Sequence, residues 1–144
     1  MENAVLMDEV CLTIPMDHDM ELVAAKTGSV LAELNHFNEE QIEEIQYAII
    51  ETCINAFEHS QSEDRKVYII YIRRADELEC KITDNGVGFT PEDQHNSISQ
   101  RQGIHSDMRK RGWGLEITKT LMDEFDIESG ENGTTVSFIK KVTS

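Results

Sequence analysis

The segment from Asn38 to Glu58 constrains the fold of this chain more than any other. Read at helical period, Ile42, Ile45, Ile49 and Ala56 form one apolar stripe, and Ile50, Ile54 and Phe57 form another. A helix that is apolar on two sides must be covered on two sides, which places it between a sheet and a neighbouring helix. Asn38 stands where an N-cap belongs, and Gln41 follows three residues later at the spacing of a capping box. Polar residues interrupting the C-terminal half of so enclosed a helix therefore need a reason.

The rest of the chain supplies the covering layers. Val10–Pro15 alternates as a short strand stopped by Pro15. Asp17–Leu34 reads as a helix with Asp17 or Asp19 as its cap and Gly28 as a weak point at its centre. Lys66–Arg74 and Glu77–Asp84 form a hairpin, and in the second run Leu78, Cys80 and Ile82 alternate with Glu79, Lys81 and Thr83. Thr90–Arg111 is polar and nearly aperiodic; at about 20 residues it is long for a connection, and such loops are usually lids or binding loops. Helical spacing returns with Leu115, Ile117, Leu121 and Met122, and the strands Phe125–Ser129 and Thr134–Lys140 follow. The order β-α-α-β-β-lid-α-β-β predicts an α+β fold, a two-layer sandwich with a mixed, largely antiparallel sheet, in one domain spanning 1–144.

Charge narrows the function. Thirteen Lys and Arg against 28 Asp and Glu give a formal charge of −15. That argues against direct nucleic-acid binding, which rests on cations neutralising phosphates, and against adhesion to anionic membranes. Cys11, Cys53 and Cys80 are too few and too scattered for a zinc knuckle or a disulfide framework, and Cys53 reads as core. His18, His36, His95 and His105 have no metal-ligand spacing. The opening MENAVLMDEV lacks the basic and apolar regions of a signal peptide, and a cytoplasmic location is expected. Neither GxGxxG nor GxxxxGK[ST] occurs.

Four short pieces remain. Glu51 and Asn55, spaced by four, share a helical face. A carboxylate beside an amide can hold a hydrated magnesium ion or orient a hydroxyl; taken alone, such a pair is more often a wet face or a structural hydrogen bond. Asp84-Asn85-Gly86-Val87-Gly88-Phe89 follows a strand directly. It can be a plain turn, or a carboxylate for an exocyclic amine beside glycines that admit a flat ligand. Arg111-Gly112-Trp113-Gly114-Leu115 opens a helix behind Arg101, Arg109 and Lys110, a basic concentration that suits phosphate at a helix N-terminus. Gly133-Thr134-Thr135 alone is only a turn at the start of the last strand.

In this order and at these intervals, ETCINAFEH, DNGVGF, RGWGLEI and NGTTVSF resemble the N box and three glycine boxes of the histidine-kinase, gyrase, Hsp90 and MutL superfamily, the Bergerat fold. Within it the chain is most similar to the stand-alone anti-sigma-factor serine kinases, which also share the early strand ending in proline and a Met-Asp-Glu, here in LMDEF. A classical two-component histidine kinase is not expected, since its phosphoacceptor helix pair would need room ahead of the catalytic domain that these 144 residues do not give.

The resemblance implies ATP and Mg²⁺ as cofactors. It makes Asn55 the magnesium ligand, Glu51 the general base for a partner serine, and Asp84 the acceptor of the adenine amine, helped through a water by Thr135 or Thr134. Gly86 and Gly88 would give the base room. Gly112, Gly114 and Leu115 would present backbone N–H groups to the phosphates, Arg111 would add charge near the γ-phosphate, and residues 90–111 would be the ATP lid. The implied partners are a second copy of the chain, a sigma factor and a STAS-domain anti-anti-sigma protein. Trp113 between two glycines and the long polar lid depart from the family pattern.

Overall fold

The computed structural model describes residues 6–86 and 114–143. Its elements are β1 (Leu6–Pro15), α1 (Met20–Leu34), α2 (Glu39–His59), β2 (Lys66–Arg74), β3 (Glu77–Asp84), α3 (Gly114–Leu121), β4 (Glu124–Gly130) and β5 (Gly133–Lys141). The five strands form one sheet in the order β1-β2-β3-β5-β4. Every described pairing is antiparallel, so no parallel component enters among the described residues.

Strand alternation decides which face is covered. Val67, Ile69 and Tyr71 of β2, Leu78, Cys80 and Ile82 of β3, and Val136 and Phe138 of β5 are buried in one cluster with residues of α1 and α2. Register aligns them in rows across the sheet: Tyr71 with Cys80 and Phe138, then Ile69 with Ile82 and Val136. Ile45, Ala48, Ile49 and Cys53 of α2 complete the core, as the two-stripe pattern requires. Burial holds the Cys53 thiol up at about 12, which keeps it an inert core residue. No helix among the described residues is long and apolar enough to cross a membrane.

The α2 capping box forms: Gln41 N–H donates to Asn38 Oδ1 at 2.8 Å, and Asn38 N–H donates to Gln41 Oε1 at 3.3 Å. The same Gln41 amide donates to Lys141 O at 2.9 Å, tying the start of α2 to the end of β5. Gly28, the weak point of α1, is where that helix crosses α2 closely: a Cβ there would collide with Ile49 Cδ1 and lie 3.5 Å from Tyr71.

Two boundaries differ by more than one residue from the sequence reading. β1 begins at Leu6 rather than Val10, because β2 extends to Arg74 and offers pairing partners to residues with no alternation of their own. α1 begins at Met20 rather than Asp17. Asp19 occupies the N-cap position at φ 75° and its side chain makes no capping bond, while Met16 N–H donates to Arg65 O and holds the preceding chain to the sheet.

Candidate functional site

The period of β3 carries a carboxylate to the covered face. Leu78, Cys80 and Ile82 point into the core, and the next residue in that phase is Asp84, only 6% exposed at the strand end. It faces Val67 on one side and Thr134 on the other. Gly86 N–H donates to Asp84 Oδ1 at 3.0 Å, and the Ser60 hydroxyl also bonds the carboxylate. Burial pushes the Asp84 carboxyl above its ordinary value, and these two hydrogen bonds pull back only part of the way.

Glycines close this corner. Gly133 has φ +127°, and a Cβ on it would collide with Asp84 O and reach Asn85 Cα at 3.0 Å. A Cβ on Gly86 would strike Ser60 Oγ and sit 2.7 Å from Gln61 N and 2.8 Å from Ser62 N. Within the described residues, then, Gly86 makes room for the Ser60–Ser62 segment.

Alternation also separates the two threonines. Thr134 is buried in the same row and on the same face as Asp84, with its hydroxyl 2.8 Å from Ser129 Oγ. Thr135 lies on the opposite face, its Oγ1 2.9 Å from Thr83 Oγ1. Thr134 is the threonine that stands beside Asp84.

Glu51 and Asn55 share the face of α2 that the spacing predicts, with Glu51 at 5% exposure and Asn55 half-buried. The first residue of α3 rests on Glu51: a Cβ on Gly114 would collide with Glu51 Oε1 and lie 3.1 Å from its Cβ and Cδ. The fold therefore brings the N-box segment into contact with Gly114, the second glycine of RGWGLEI. Leu115, 3% exposed, anchors the helix start through its side chain. Thr118 is fully buried and donates to Gly114 O at 2.9 Å.

Gly88, Arg111, Gly112, Trp113 and the lid at 90–111 lie outside the described residues. Sequence reasoning missed Ser60, which carries no periodic signal and meets Asp84 only through the fold. It also missed Thr52, whose Oγ1 is the one buried side-chain polar atom without a hydrogen-bond partner among the described residues. In α2 it is the neighbour of Glu51 and stands three residues before Asn55.

These residues fit a nucleotide and magnesium. Asp84 offers a buried acceptor of the kind an exocyclic amine needs, and Asn55 offers a hard amide oxygen next to a carboxylate. One such ligand suits Mg²⁺, which keeps several waters and binds through one or two protein groups plus phosphate.

Comparison with known proteins identifies the family and the fold. A family model described as a histidine kinase-like ATPase domain matches residues 17–140. The serine-protein kinase RsbW of Bacillus pumilus is 26% identical over 140 residues, covering 93% of this chain and 86% of that protein. The serine-protein kinase RsbW of Listeria monocytogenes is 29% identical over 125 residues, covering 84% and 80%. Among solved structures, the RsbU and RsbW domains of a Mycobacterium tuberculosis protein superpose with a TM-score of 0.67 at 18% identity, over 94% of this chain and 32% of that one. The histidine kinase domain of a blue-light activated kinase from Erythrobacter litoralis gives 0.51 at 14% identity, over 90% and 62%. With the match running almost end to end and the fold the same, this chain belongs to the histidine kinase-like ATPase domain family.

Proposed function

We propose that this chain is an ATP-dependent protein-serine kinase that also acts as an anti-sigma factor in the cytoplasm. In this reading it forms a homodimer, binds a sigma factor, and phosphorylates a serine of a STAS-domain anti-anti-sigma protein. The likeness to two serine-protein kinases named RsbW supports the reaction class. The observation that carries the reading is the contact of Gly114 with the buried Glu51. It puts a carboxylate at the start of a helix whose N–H groups suit phosphate.

Each residue then has a physical task. Asp84 accepts from the adenine amine through the oxygen that Gly86 leaves open, and Thr134 holds a water beside it. Asn55 would hold Mg²⁺, which would supply charge neutralisation to the phosphates. Gly112, Gly114 and Leu115 donate N–H groups to the phosphates, Arg111 adds a positive charge, and Gly88 admits the base. Glu51 takes the proton of the acceptor serine while that oxygen bonds to the γ-phosphorus and the bond to the β-γ bridging oxygen breaks, releasing ADP. Binding a basic sigma-factor surface suits a chain of −15.

The test is phosphate transfer from labelled ATP to a purified STAS-domain partner, with Glu51→Gln as control. Wild type should label the partner's serine. Glu51→Gln should keep ATP affinity within about threefold and lose about 10²–10⁴-fold in transfer, the range for removing a general base. Equal transfer by both would refute the role of Glu51. ATP binding without any phosphoprotein would leave a nucleotide-gated binding module.

A further inference from the structure

The segment between α2 and β2 reaches the Asp84 corner from outside the sheet. Ser60, the first residue after α2, is buried. Its Oγ accepts from Ser62 N–H at 3.3 Å, so its own hydrogen is free for the Asp84 carboxylate that it bonds. Asp84 in turn accepts from Gly86 N–H at 3.0 Å. Gly86 lies bare against the segment, since a Cβ there would strike Ser60 Oγ and sit 2.7 Å from Gln61 N. Two hydrogen bonds and one close packing contact thus tie residues 60–62 to residues 84–86.

Four residues on, the same segment takes a second hold. Asp64 Oδ2 accepts from Asn85 Nδ2 at 3.3 Å and from the Tyr68 hydroxyl at 2.6 Å, while Asp64 Oδ1 accepts from Lys66 N–H at 3.3 Å. The Tyr68 bond, more than any other, holds the Asp64 carboxyl below its ordinary value. The segment is itself anchored to the end of β1. Met16 N–H donates to Arg65 O at 2.9 Å, and Arg65 Nη2 donates to Met16 O at 3.4 Å.

We propose that Ser60 is a positioning residue of the nucleotide site: its hydroxyl holds the Asp84 carboxylate ionised and turned so that a remaining lone pair meets an exocyclic amine. The inference deepens the proposed ATP site and rests on it. Two observations carry it. An ionised carboxylate has about four acceptor positions. Ser60 and Gly86 take two of them, which fixes the rotation of the group and leaves the others for a ligand. The second observation is charge. Burial pushes the Asp84 carboxyl up, and the negative charge of Asp64 pushes the same way; the Gly86 and Ser60 bonds are what oppose them. Asp64 is the one charge acting on Asp84 among the described residues, and its strand neighbours, Val67 and Thr134, carry none.

Calorimetric ATP titration of the full chain from pH 5 to pH 8 tests it, with melting recorded for every variant. Dividing each variant's Kd by the wild-type Kd at the same pH cancels the titration of the ligand. Ser60→Ala removes a bond that lowers the Asp84 carboxyl, so the variant takes up that proton at a higher pH than wild type does. The Kd ratio should be about two to three at pH 8 and at least about threefold larger at pH 5. Ser60→Thr keeps the hydroxyl and should hold the ratio within about twofold of unity throughout. Gly86→Ala drives a methyl into Ser60 Oγ and breaks the same bond from the other side. Adding Ser60→Ala to it should then weaken binding by no more than about twofold, the mark of two changes acting through one contact. A ratio for Ser60→Ala that is flat with pH, or losses from the two changes that multiply, would overturn the role of Ser60 alone. Wild type that binds no ATP at any pH would overturn that role and the nucleotide site together.

Discussion

Replacing Asp84 by Asn separates a ligand-binding carboxylate from a structural one. Oδ1 already accepts from Gly86 N–H at 3.0 Å and the Ser60 hydroxyl also bonds the carboxylate, so in the proposed reading the adenine amine takes a lone pair that these two leave, on the other oxygen. In the Asp84→Asn variant one of these two positions becomes an NH₂ group. If the amide oxygen stays on Gly86, a donor faces the adenine donor; if the amide flips, a donor faces the Gly86 N–H. Either way one acceptor is lost and one donor is misplaced. Losing a charge-assisted bond and leaving a donor unpaired costs about 2–4 kcal/mol, or about 30- to 1,000-fold in ATP affinity.

The unliganded protein should respond in the other direction. Burial raises the Asp84 carboxyl above its ordinary 3.8, so the charge is unfavourable to the fold at neutral pH. A folded-state pKa above the unfolded one means the native state holds the proton more tightly between the two values. Wild-type stability therefore falls as pH rises from 3.8 through the raised value, and stays lower above it. The amide removes that limb and should leave the apo protein as stable as wild type or up to about 2 kcal/mol more stable at neutral pH. The assay is calorimetric ATP titration with urea unfolding of both proteins across pH 4–8. ATP affinity within threefold of wild type, or an apo protein destabilised by more than about 2 kcal/mol, would show that the carboxylate serves the fold instead.

Two glycine substitutions test the close contacts. Gly28→Ala should gain about 0.5–1 kcal/mol in helix propensity but lose about 1–3 by overpacking Ile49, a net loss read by urea unfolding. Gly114→Ala drives a methyl into Glu51, so either α3 moves off or the carboxylate turns away. Phosphotransfer should drop at least about 100-fold, the scale of a misplacement near 1 Å, with ATP affinity changing much less.

What the sequence discloses depends on whether a residue's placement is set by local period or by a distant neighbour. α2 is legible to its capping box because Asn38, Gln41 and the two stripes lie within one element. Asp84 is legible too, since Leu78, Cys80 and Ile82 fix its phase. The choice of Thr134 over Thr135 needs the pairing of β5 with β3, which no run of residues encodes. Leu6–Glu9 joins β1 only because β2 waits opposite, and Ser60 meets Asp84 only because Gly86 lets the two segments touch. The glycines show the same division: their presence is visible, but Ile49, Ser60, Glu51 and Asp84 are what each one avoids.

The two carboxylates at the site are buried for different reasons. Asp84 is inside because a strand period that buries three hydrophobic residues carries the fourth inward with them. Glu51 is inside because α2 is enclosed between sheet and helices, and the start of α3 closes over it. Neither position is one that stability alone would give to a charge, since desolvation penalises both and a hydrophobic residue would fill either. Thr52 adds, in the same turn as Glu51, a buried hydroxyl with no hydrogen-bond partner among the described residues. The buried carboxylates and the unpartnered hydroxyl lie on α2, at the end of β3 and beneath the start of α3, while the buried polar groups at the opposite end of the core, Asn35 and Gln41, are neutral amides that donate to Arg74 O, Glu77 O and Lys141 O. Costs concentrated at one end of an otherwise ordinary core are what a ligand site requires. The same reasoning makes apo stability and ATP affinity move oppositely at Asp84, and no purely structural role for that carboxylate produces that pair of signs.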